Sequence, residues 1–349
     1  MEDEYYKSHQ KLAFIGVEGQ RKLQQAKVLI IGAGGLGCPC LQYLAGCGID
    51  VIGIADFDKV DLSNIHRQFL YHINDIGKTK VSVAVEKLSA YNPYVLFHAY
   101  HLFIEDNNVL ELIEGYDVVV DCTDNFLVRY LINDACVYLN KPLVYGAIHQ
   151  TEGHLTVFNY HQSATLRCLF PESNADEVIQ SCADIGAYNI VCGTIGLMMA
   201  NEVIKIILDH PDVLKEKLCY YDSLTNSTKQ IKFHSLQESR RKSIDRFKDK
   251  KEPDVISPEK LQQKIARHEN IILIDVRESN EHLEFNIGGE NIPLQRFLQS
   301  SFSHISPQTE VIVYCQSGDR SHQAVKYLKQ QHLFKCASLK GGINFLKSI

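Results

Sequence analysis

Two segments of the chain carry side chains that could do chemistry. The first is a polar loop with Asn64, Arg67 and Gln68, followed by Lys80. The guanidinium fork of Arg67 and the compact ammonium of Lys80 both suit phosphate groups, and the two amides add neutral hydrogen bonds. Asp124 adds a carboxylate, which is an oxygen ligand of the kind that Mg²⁺ prefers. This segment therefore predicts a site for a phosphate-bearing anion.

The second segment is the loop from Cys315 to Arg320, which lies between a predicted strand and a helix beginning at Ser321. Successive backbone N–H groups and the helix dipole would form an anion cradle around the cysteine, lowering its pKa and stabilising a thiolate or persulfide. Arg320 adds a positive charge. A protein phosphatase also places cysteine and arginine around such a cradle, but in a loop one residue longer, so the shorter loop favours sulfur.

A glycine-rich turn precedes the first segment. The apolar run Val28–Ile31 ends in a group of glycines, Gly32, Gly34, Gly35 and Gly37, and a helical pattern follows. Such a turn presents a helix N-terminus to a phosphate, and Asp56, at the end of the next strand, could bind ribose hydroxyls. An NAD-dependent oxidoreductase fits this fingerprint too, although hydride transfer has no need of the cations Arg67 and Lys80.

The elements that must position these residues alternate between strands and helices. In the first part of the chain, strands are predicted at 28–31, 51–55, 95–100 and 117–121, with helices at 36–47, 79–90, 106–114 and 125–139. Asp121 and Asp124 follow the last of these strands, at the ligand edge of a parallel sheet. Two β-rich segments, a buried helix at 196–208 and a β-run KQIKFH complete the domain, and residues 1–26 form a leading helix or arm. The fold class is α/β, with a Rossmann-like, mostly parallel sheet.

A charge-dense segment with almost no aliphatic residues divides the chain. We predict a first domain at 1–238, a linker at 239–254 and a second, smaller α/β domain at 255–349. A flexible linker of this length would span roughly 20 Å. The second domain is predicted to contain helix 258–267, strands IILIDV and VIVYC, helix 321–330 and strand 337–339.

Composition narrows the function classes. A net charge of −6 argues against a general nucleic-acid binder, which would show a basic face. No signal peptide and no apolar run of membrane-spanning length is apparent, so no membrane association is predicted. Eleven cysteines without a secreted framework indicate a reducing cytoplasm. Six of these thiols are predicted to be simple core residues, namely Cys38, Cys40, Cys47, Cys122, Cys136 and Cys192.

The motifs GAGGLGCP, ADFDKVDLSNIHRQFL, IGKTK and DCTDN, in this order, resemble the MoeB/ThiF family, the bacterial relatives of ubiquitin-activating enzymes. The resemblance covers nearly all of residues 11–235. It implies a nucleotide site formed by the glycine turn and the residues that follow it. The site residues are Gly32, Gly34, Gly35, Asp56, Ser63, Asn64, Arg67, Gln68, Lys80, Asp124 and Asn125.

This resemblance implies the use of ATP and Mg²⁺, with Asp124 as the metal ligand. Family members adenylate the C-terminal glycine of a ubiquitin-like sulfur-carrier protein, similar to MoaD or ThiS and ending in Gly-Gly, and are typically homodimers. Arg67, Lys80 and Asp124 would be catalytic, since a carboxylate that attacks a phosphate must overcome charge repulsion. Cys182 matches a family thiol that forms a covalent intermediate with the carrier.

Two departures from the family pattern affect this interpretation. Ser8 stands where the family has an arginine that reaches the ATP of the partner subunit, and Lys7 or Lys11 could substitute. Thr165 and Cys168 stand at the first cysteine pair of the family's zinc site, and no second pair follows Phe233, so no structural zinc is expected. The contacts of residues 169–171 would then hold this region.

A non-catalytic scaffold that binds the carrier, and an activating enzyme that passes it on as a thioester, remain alternatives.

Residues 256–349 resemble a rhodanese domain in the motifs IDVRESNEHLEFNIGGENIPL, VIVYCQSGDRS and LKGGINF. The resemblance makes Cys315 the sulfur-bearing nucleophile, with Arg320 beside it. Asp275 and Arg277 are expected to organise the loop by ion pairing. Asn286 stands where the family often has histidine, and Phe345 where it often has tryptophan. An inactive module remains an alternative, but such modules usually lack the cysteine.

The two resemblances together predict one reaction sequence. The first domain activates the carrier as an acyl-adenylate, and a persulfide on Cys315, loaded by a donor such as a cysteine desulfurase, displaces AMP. Cys182 then releases a thiocarboxylate for molybdopterin, thiamine or thiolated-tRNA synthesis. This hypothesis requires a cavity around Asp56 and Arg67 that admits adenine nucleotide, and a Cys315 that solvent can reach.

Overall fold

The computed structural model describes residues 2–171, 186–248, 255–267, 269–302, 305–306, 309–330 and 335–346. By internal contacts the chain divides into two compact units, Met1–Phe247 and Lys248–Ile349. The division falls inside the segment that the sequence predicts as a linker.

The first unit is built on an eight-stranded sheet with helices on both faces. Its strands are β1 (Lys27–Ile31), β2 (Val51–Ala55), β3 (Leu96–Tyr100), β4 (Val118–Asp121), β5 (Leu143–His149), β6 (Glu152–Phe158), β7 (Lys217–Asp222) and β8 (Ser227–Lys232). Its helices are α1 (Glu2–Tyr5), α2 (Lys7–Gln10), α3 (Gly16–Leu23), α4 (Gly37–Cys47), α5 (Lys80–Tyr91), α6 (Val109–Glu114), α7 (Phe126–Tyr138), α8 (Leu166–Leu169), α9 (Asn189–Ile207) and α10 (Gln237–Lys248).

The strand order is β3-β2-β1-β4-β5-β6-β7-β8. The first five strands of this order, from β3 to β5, pair in parallel with their neighbours. The last three, β6, β7 and β8, are added by antiparallel pairing. The order reverses between β1 and β4, which leaves a crevice at the carboxyl ends of these strands where ligands bind in such sheets. The Rossmann-like, mostly parallel architecture is confirmed.

Side-chain alternation along β1 distributes the core over the two faces of the sheet. Val28 and Ile30 belong to the cluster that packs against α4, α5 and α9. Leu29 and Ile31 belong to the opposite cluster, which packs against α6 and α7. Both faces of β1 are thus fully buried, which explains its uninterrupted apolar sequence. The cysteines predicted as core, Cys38, Cys40, Cys47, Cys122, Cys136 and Cys192, are all buried.

Several predicted elements differ in the structure. The leading helix is three short helices, α1 to α3, interrupted around residues 11–15. Strand β7 was not predicted, and β8 spans Ser227–Lys232 rather than KQIKFH. Helix α9 begins at Asn189, seven residues before the predicted start. The additional residues, NIVCGTI, mix apolar with polar and small side chains, so the helical pattern was not apparent in this segment.

Helix α9 is long and apolar enough to cross a membrane by length and composition alone. Its side chains Val191, Ile195, Met199 and Val203 are, however, fully buried within the core of the first unit. A buried core helix can be as long and as apolar as a membrane-spanning helix, so the hydropathy of α9 is explained by its packing.

The predicted flexible linker is wrong for residues 239–248. They belong to α10, and Phe247 at its end is fully buried against Tyr138, with ring centroids 5.7 Å apart. Ser243 is also buried, and Arg246 lies within 3.4 Å of the carboxylate of Asp134. Phe247 and the ion pair of Arg246 hold α10 against the first unit. The low aliphatic content of this segment had predicted a solvated coil instead. Residues 249–254 lie outside the described part of the chain.

The second unit contains a five-stranded sheet in the order β11-β10-β12-β13-β9, with all pairs parallel. Its strands are β9 (Val255–Ile256), β10 (Ile271–Asp275), β11 (Glu290–Asn291), β12 (Glu310–Tyr314) and β13 (Cys336–Leu339). Its helices are α11 (Pro258–Ala266), α12 (Ser279–Glu284), α13 (Leu294–Phe297), α14 (Asp319–Gln330) and α15 (Gly342–Leu346). Strand β12 occupies its centre, between β10 and β13, and the Cys315 loop follows β12.

Candidate functional site

A cavity of about 420 Å³ opens at the carboxyl ends of the parallel strands in the first unit. It contains every residue that the sequence predicts for the nucleotide site except Ser63. The predicted residues that line it are Gly32, Gly34, Gly35, Asp56, Asn64, Arg67, Gln68, Lys80, Asp124 and Asn125. The structure thus brings together residues from the three segments that follow β1, β2 and β4.

Close backbone packing explains two of the turn glycines. Gly32 has φ +96°, and a Cβ there would lie 2.8 Å from the carbonyl oxygen of Cys122. A Cβ on Gly37 would lie 2.0 Å from the carbonyl oxygen of Gly32. These glycines let the turn fold back tightly before α4 begins, so their first role is to form the turn rather than to admit a ligand.

Asp56 ties the end of β2 to the glycine turn. Its Oδ2 accepts a hydrogen bond from the Ala33 backbone N–H at 2.7 Å, and its Oδ1 accepts one from the Asp58 N–H at 2.7 Å. The carboxylate is therefore fixed in orientation at the cavity wall. Each oxygen keeps a second lone pair, so a ligand hydroxyl can still donate to it.

The loop after β2 presents Arg67 and Gln68 to the cavity. The Arg67 guanidinium donates to Asn64 Oδ1 and to the Ser63 carbonyl, both at 3.0 Å. Gln68 Nε2 also donates to Asn64 Oδ1, at 3.1 Å, while its buried Oε1 has no hydrogen-bond partner. A buried amide oxygen without a partner is costly, and a donor on a bound ligand would satisfy it.

Ser63 does not belong to the cavity. Its hydroxyl donates to Asp61 Oδ1 at 2.6 Å, and the residue is exposed. Its contribution is the carbonyl that holds Arg67. Ser63 as a nucleotide-binding residue stays a prediction, and its hydroxyl is engaged by Asp61.

Lys80 is only 4 % exposed, and its Nζ lies 2.7 Å from Asp58 Oδ2. The pair holds the ammonium at the cavity wall at the start of α5, where Thr79 caps the helix. Asp58 was not predicted as a site residue. The hydrogen bond to Lys80 was not apparent in the sequence because the two residues are 22 positions apart.

The turn after β4 carries Asp124 and Asn125. The Asp121 carboxylate accepts from both the N–H and the hydroxyl of Thr123, at 2.9 and 2.7 Å, which fixes the turn. Burial raises the pKa of Asp121, whose Oδ2 has no hydrogen-bond partner. Asn125 Oδ1 accepts from the first N–H groups of α7, and Asp124 itself is exposed at the cavity.

Sequence reasoning missed Arg129, which lines the cavity from α7 and is only 5 % exposed. It also missed the stacked pair Phe57 and Phe103 at the cavity wall, with ring centroids 3.5 Å apart. The helical pattern of α7 carried a usable signal, because a charged residue at position 129 falls among apolar positions.

The region of the family's zinc site is held by a side-chain sulfur and by aromatic packing. Cys168 Sγ accepts from the Leu236 N–H at 3.3 Å and lies 3.4 Å from the Thr165 hydroxyl. Phe170 packs against Phe126 and Tyr145, with ring centroids 5.6 and 6.0 Å apart. The Cys168–Leu236 contact joins the two chain segments where the family pattern places its cysteine pairs.

The N-terminal position Ser8 does not line the cavity. Ser8 is exposed in α2, and the ammonium of its neighbour Lys7 lies 2.9 Å from Glu4 Oε1. Cys182 lies outside the described residues. No residue near the N-terminus therefore lines the cavity within the part of the chain that the structure describes.

In the second unit, the Cys315 sulfur accepts from backbone N–H groups of its own loop and of the first turn of α14. The N–H groups of Gly318 and Ser321 point at Sγ, at 3.1 and 3.4 Å, and the Ser321 hydroxyl lies 3.5 Å away. This arrangement has the geometry of the predicted anion cradle. Cys315 is fully buried, however, so the expected accessibility of its thiol is not met. The sulfur points inward, toward these two N–H groups.

Arg320 does not add an unbalanced positive charge to this loop. Its two terminal nitrogens donate to the two carboxylate oxygens of Glu281, both at 2.7 Å. The ion pair lowers the pKa of Glu281 to about 2. A phosphatase-like arginine would need its guanidinium for phosphate, and here Glu281 occupies it.

Asp275 and Arg277 form the expected ion pair, with Nη2 and Oδ2 2.7 Å apart and both residues buried. Arg277 Nη1 lies 3.3 Å from the Gln316 side chain, which links the pair to the Cys315 loop. Asn286 donates to the His282 carbonyl and accepts from the Gly288 N–H. The Phe345 side chain lies outside the described residues.

Comparison with known families identifies both units. Residues 6–243 match the model of the ThiF family, and residues 257–348 match that of the rhodanese-like domain. Together these matches cover most of the chain.

Two curated relatives match nearly the whole chain, and a third matches 62 % of it. The chain is 36 % identical over 369 residues to "Adenylyltransferase and sulfurtransferase MOCS3" of Culex quinquefasciatus, covering 95 % of this chain and 84 % of the relative. It is 38 % identical over 355 residues to "Probable molybdopterin-synthase adenylyltransferase" of Pyropia yezoensis, covering 99 % and 93 %. The first unit is 41 % identical over 222 residues to "Sulfur carrier protein adenylyltransferase" of Thermus thermophilus, covering 62 % and 82 %.

Solved structures support the fold of the first unit. The crystal structure of E. coli MccB matches with a TM-score of 0.59 at 22 % identity, covering 67 % of this chain and 71 % of that one. At this identity the match supports the fold alone.

Proposed function

The chain belongs to the ThiF family and ends in a rhodanese-like domain, and from this we propose how its two sites act in sequence. The protein is an adenylyltransferase and sulfurtransferase that uses ATP and acts in the molybdopterin pathway. Its first unit activates the C-terminal glycine of a ubiquitin-like sulfur carrier. The second unit then supplies the sulfur. The observation that carries this proposal is the single cavity that unites the predicted nucleotide residues.

The nucleotide would lie along the carboxyl ends of the strands. Asp56 would accept ribose hydroxyls, and the first N–H groups of α4 would face the phosphates. The apolar wall formed by Phe57 and Phe103 offers a face on which a purine can stack. Gln68 Oε1, buried and without a partner, supports a ligand donor at this position.

Asp124 is the proposed ligand of Mg²⁺. Its exposed carboxylate borders the cavity, and Mg²⁺ bound with a nucleotide commonly takes one or two protein carboxylates and completes its shell with phosphate oxygens and waters. The residues present therefore fit the ion. When bound, it would neutralise charge on the phosphates.

In the first step, the carrier's terminal carboxylate attacks the α-phosphorus of ATP. A bond forms between a carboxylate oxygen and phosphorus, and pyrophosphate leaves. Arg67 and Lys80 stabilise the phosphate charge, and they act strongly because both are held at a partly buried wall. The product is a mixed anhydride whose carbonyl carbon is open to a nucleophile.

In the second step, the terminal sulfur of a Cys315 persulfide attacks that carbonyl carbon, and AMP leaves. The resulting acyl-disulfide joins the carrier to Cys315. Attack by the Cys182 thiolate on Cys315 Sγ then forms a Cys182–Cys315 disulfide and releases the carrier thiocarboxylate, so atoms and electrons balance. Because Cys315 is fully buried, these steps require a conformation in which its loop opens.

The remaining parts of the proposal follow from the resemblance to the family. We propose a carrier ending in Gly-Gly, a persulfide donor such as a cysteine desulfurase, a homodimeric state, a cytoplasmic setting and no structural zinc. The contacts of Cys168 with Leu236 support the last point, since they join the segments that zinc would join.

The variant Cys315→Ser tests whether the first unit carries out adenylation and the second unit carries out sulfur transfer. It should keep carrier-dependent exchange of pyrophosphate into ATP and lose thiocarboxylate formation, as measured by mass spectrometry of the carrier. Cys336→Ser is the matched control, because Cys336 is a buried cysteine of the same unit outside the loop. Retained sulfur transfer in Cys315→Ser would defeat the assignment. Absence of exchange in the wild type would favour the scaffold alternative.

A further inference from the structure

Two arginines lie beside the Cys315 loop, and carboxylates of the protein engage both of them. Arg320, at the end of the loop, donates from its two terminal nitrogens to the two oxygens of Glu281, both at 2.7 Å. Arg277 is buried and donates from Nε and Nη2 to Asp275, at 3.0 and 2.7 Å. Both guanidinium charges are therefore balanced before any ligand arrives.

Two more carboxylates lie close to Arg320. Glu278, the N-cap residue of α12, is exposed and interacts electrostatically with the Arg320 guanidinium. Asp319 precedes Arg320 in the chain, is exposed and accepts a hydrogen bond from the Ser317 hydroxyl at 2.7 Å. Three carboxylates thus accompany one guanidinium, so negative charge is in excess on this side of the loop.

The charge of a sulfur donor decides how it meets this surface. In loading, the Cys315 thiolate attacks the outer sulfur of the donor, a new S–S bond forms, and the leaving group takes the electron pair of the old bond. Thiosulfate arrives with two negative charges and releases sulfite, which carries two. A protonated persulfide, R–S–SH, arrives without charge and releases a thiolate with one. A thiosulfate site therefore needs cations that can bind the donor, whereas a persulfide site does not.

We propose that Glu281 selects the class of sulfur donor, because it holds Arg320 and thereby excludes dianions such as thiosulfate in favour of thiol persulfides. This inference rests on the proposed function of Cys315 as the sulfur-bearing nucleophile. The N–H groups of Gly318 and Ser321 can stabilise the single charge on the Cys315 sulfur, but they leave the charges of a dianion unbalanced. Glu281 is a positioning residue, since it acts through Arg320.

The test measures how fast Cys315 is loaded in the full chain, read from the mass of the peptide that contains it. The donors are thiosulfate, methanethiosulfonate and cysteine persulfide, whose sulfur-bearing groups carry two, one and, in the protonated form, no negative charges. Glu281→Gln releases Arg320 from its carboxylate. It should raise the loading rate about tenfold from thiosulfate and about threefold from methanethiosulfonate, and change it less than about twofold from cysteine persulfide.

Three further variants locate the effect. Glu281→Gln combined with Arg320→Gln should lose the gain, because the guanidinium that binds the dianion is gone. Glu278→Gln lowers the negative charge without breaking the ion pair and should raise the thiosulfate rate about twofold. If Glu281→Gln does not fold, Glu278→Gln gives the same test with this smaller amplitude. Glu284→Gln, exposed on the same helix, should leave all rates close to wild type.

Salt gives an independent measure of the same charges. Added salt screens repulsion between like charges, so it should raise the wild-type loading rate from thiosulfate. In Glu281→Gln it should lower that rate, because the released Arg320 now attracts the dianion. A cysteine desulfurase supplied with cysteine presents the same persulfide on a protein, and its loading rate should change as little in Glu281→Gln as that of cysteine persulfide.

The outcomes separate this inference from the function on which it rests. Loading from none of these donors would contradict the proposed function of Cys315. Loading that rises equally with every donor in Glu281→Gln would assign the ion pair to the opening of the loop and overturn the inference. A thiosulfate gain that persists without Arg320, or a thiosulfate rate unchanged in both Glu281→Gln and Glu278→Gln, would overturn it too.

Discussion

The nucleotide cavity and the Cys315 loop achieve anion binding by opposite means. The cavity collects side chains from loops after β1, β2 and β4, and it is open, with a volume of about 420 Å³. In the second unit, the backbone N–H groups of Gly318 and Ser321 bind the Cys315 sulfur, and the cysteine is fully buried. Side-chain cations dominate the first site, and backbone donors dominate the second.

This difference matches the two chemical tasks. Adenylation brings several negative charges together and needs cations, which Arg67 and Lys80 provide at the cavity. A persulfide carries a single charge, which a small number of N–H groups can stabilise. The arginine beside the loop, Arg320, is correspondingly occupied by Glu281.

The first prediction tests whether side-chain charge dominates the cavity. Lys80→Met should reduce carrier-dependent pyrophosphate exchange by about 100-fold or more, because it removes a cation and leaves Asp58 facing the phosphates. Thiocarboxylate formation should fall in parallel. Initial rates of exchange at saturating carrier provide the measurement.

Lys78→Met is the matched control for this prediction. Lys78 is half exposed, pairs with Asp75 at 3.3 Å and does not line the cavity, so exchange should stay close to wild type. Equal losses in the two variants would show that general surface charge, rather than the cavity, is responsible.

The second prediction tests whether residues 239–248 belong to the first unit as a packed helix. Phe247→Ala should destabilise the first unit by about 3–5 kcal/mol, because it empties a fully buried aromatic position that docks α10. Chemical denaturation of the full chain, followed by a probe in the first unit, measures this loss.

Lys242→Ala provides the comparison for the docked helix. Lys242 is exposed on α10 and lies 4.0 Å from Glu238, so its replacement should change stability by less than about 0.5 kcal/mol. A flexible linker at 239–248 would make both variants neutral, and that result would refute the docked helix.

The third prediction concerns acid stability at the Cys315 loop and is the smallest effect. Arg320 lowers the pKa of Glu281 from 4.5 to about 2. The ion pair therefore stabilises the fold above the ordinary glutamate pKa, and this contribution disappears as the pH falls toward 2. Glu281→Gln should cost below about 1 kcal/mol at neutral pH, because the pair is partly exposed.

Denaturation of the second unit across the acidic range measures this pH dependence. The difference between wild type and Glu281→Gln should shrink as the pH falls. Glu284→Gln, on the same helix and exposed, should follow the wild type at every pH. A difference between wild type and Glu281→Gln that persists in acid would mean that the side chain stabilises by packing rather than by charge.

The same contrast explains how much the sequence could predict. The donors around Cys315 lie within a few residues of it in the sequence, so they could be assigned from the sequence. The alternation of strands and helices predicted the parallel sheet. The motifs at the carboxyl ends of the strands predicted the cavity residues. The pairing of Lys80 with Asp58 and of Arg320 with Glu281 could not be assigned, because each depends on how distant segments meet.

Other failures have a similar origin. Ser63 lies in the motif that supplies the cavity residues, yet its hydroxyl donates to Asp61 and it does not line the cavity. The segment 239–248 has the composition of a linker, and only its tertiary contact through Phe247 makes it a docked helix. The burial of Cys315 was likewise set by packing that the loop sequence does not encode.

The most direct test of the two-site account follows one sulfur atom. Cys315 is loaded with radioactive sulfur from a persulfide donor, excess donor is removed, and carrier is added with or without ATP and Mg²⁺. The account predicts that the label moves to the carrier only when ATP and Mg²⁺ are present. Transfer without ATP, or label that stays on the enzyme while the carrier becomes adenylated, would contradict it.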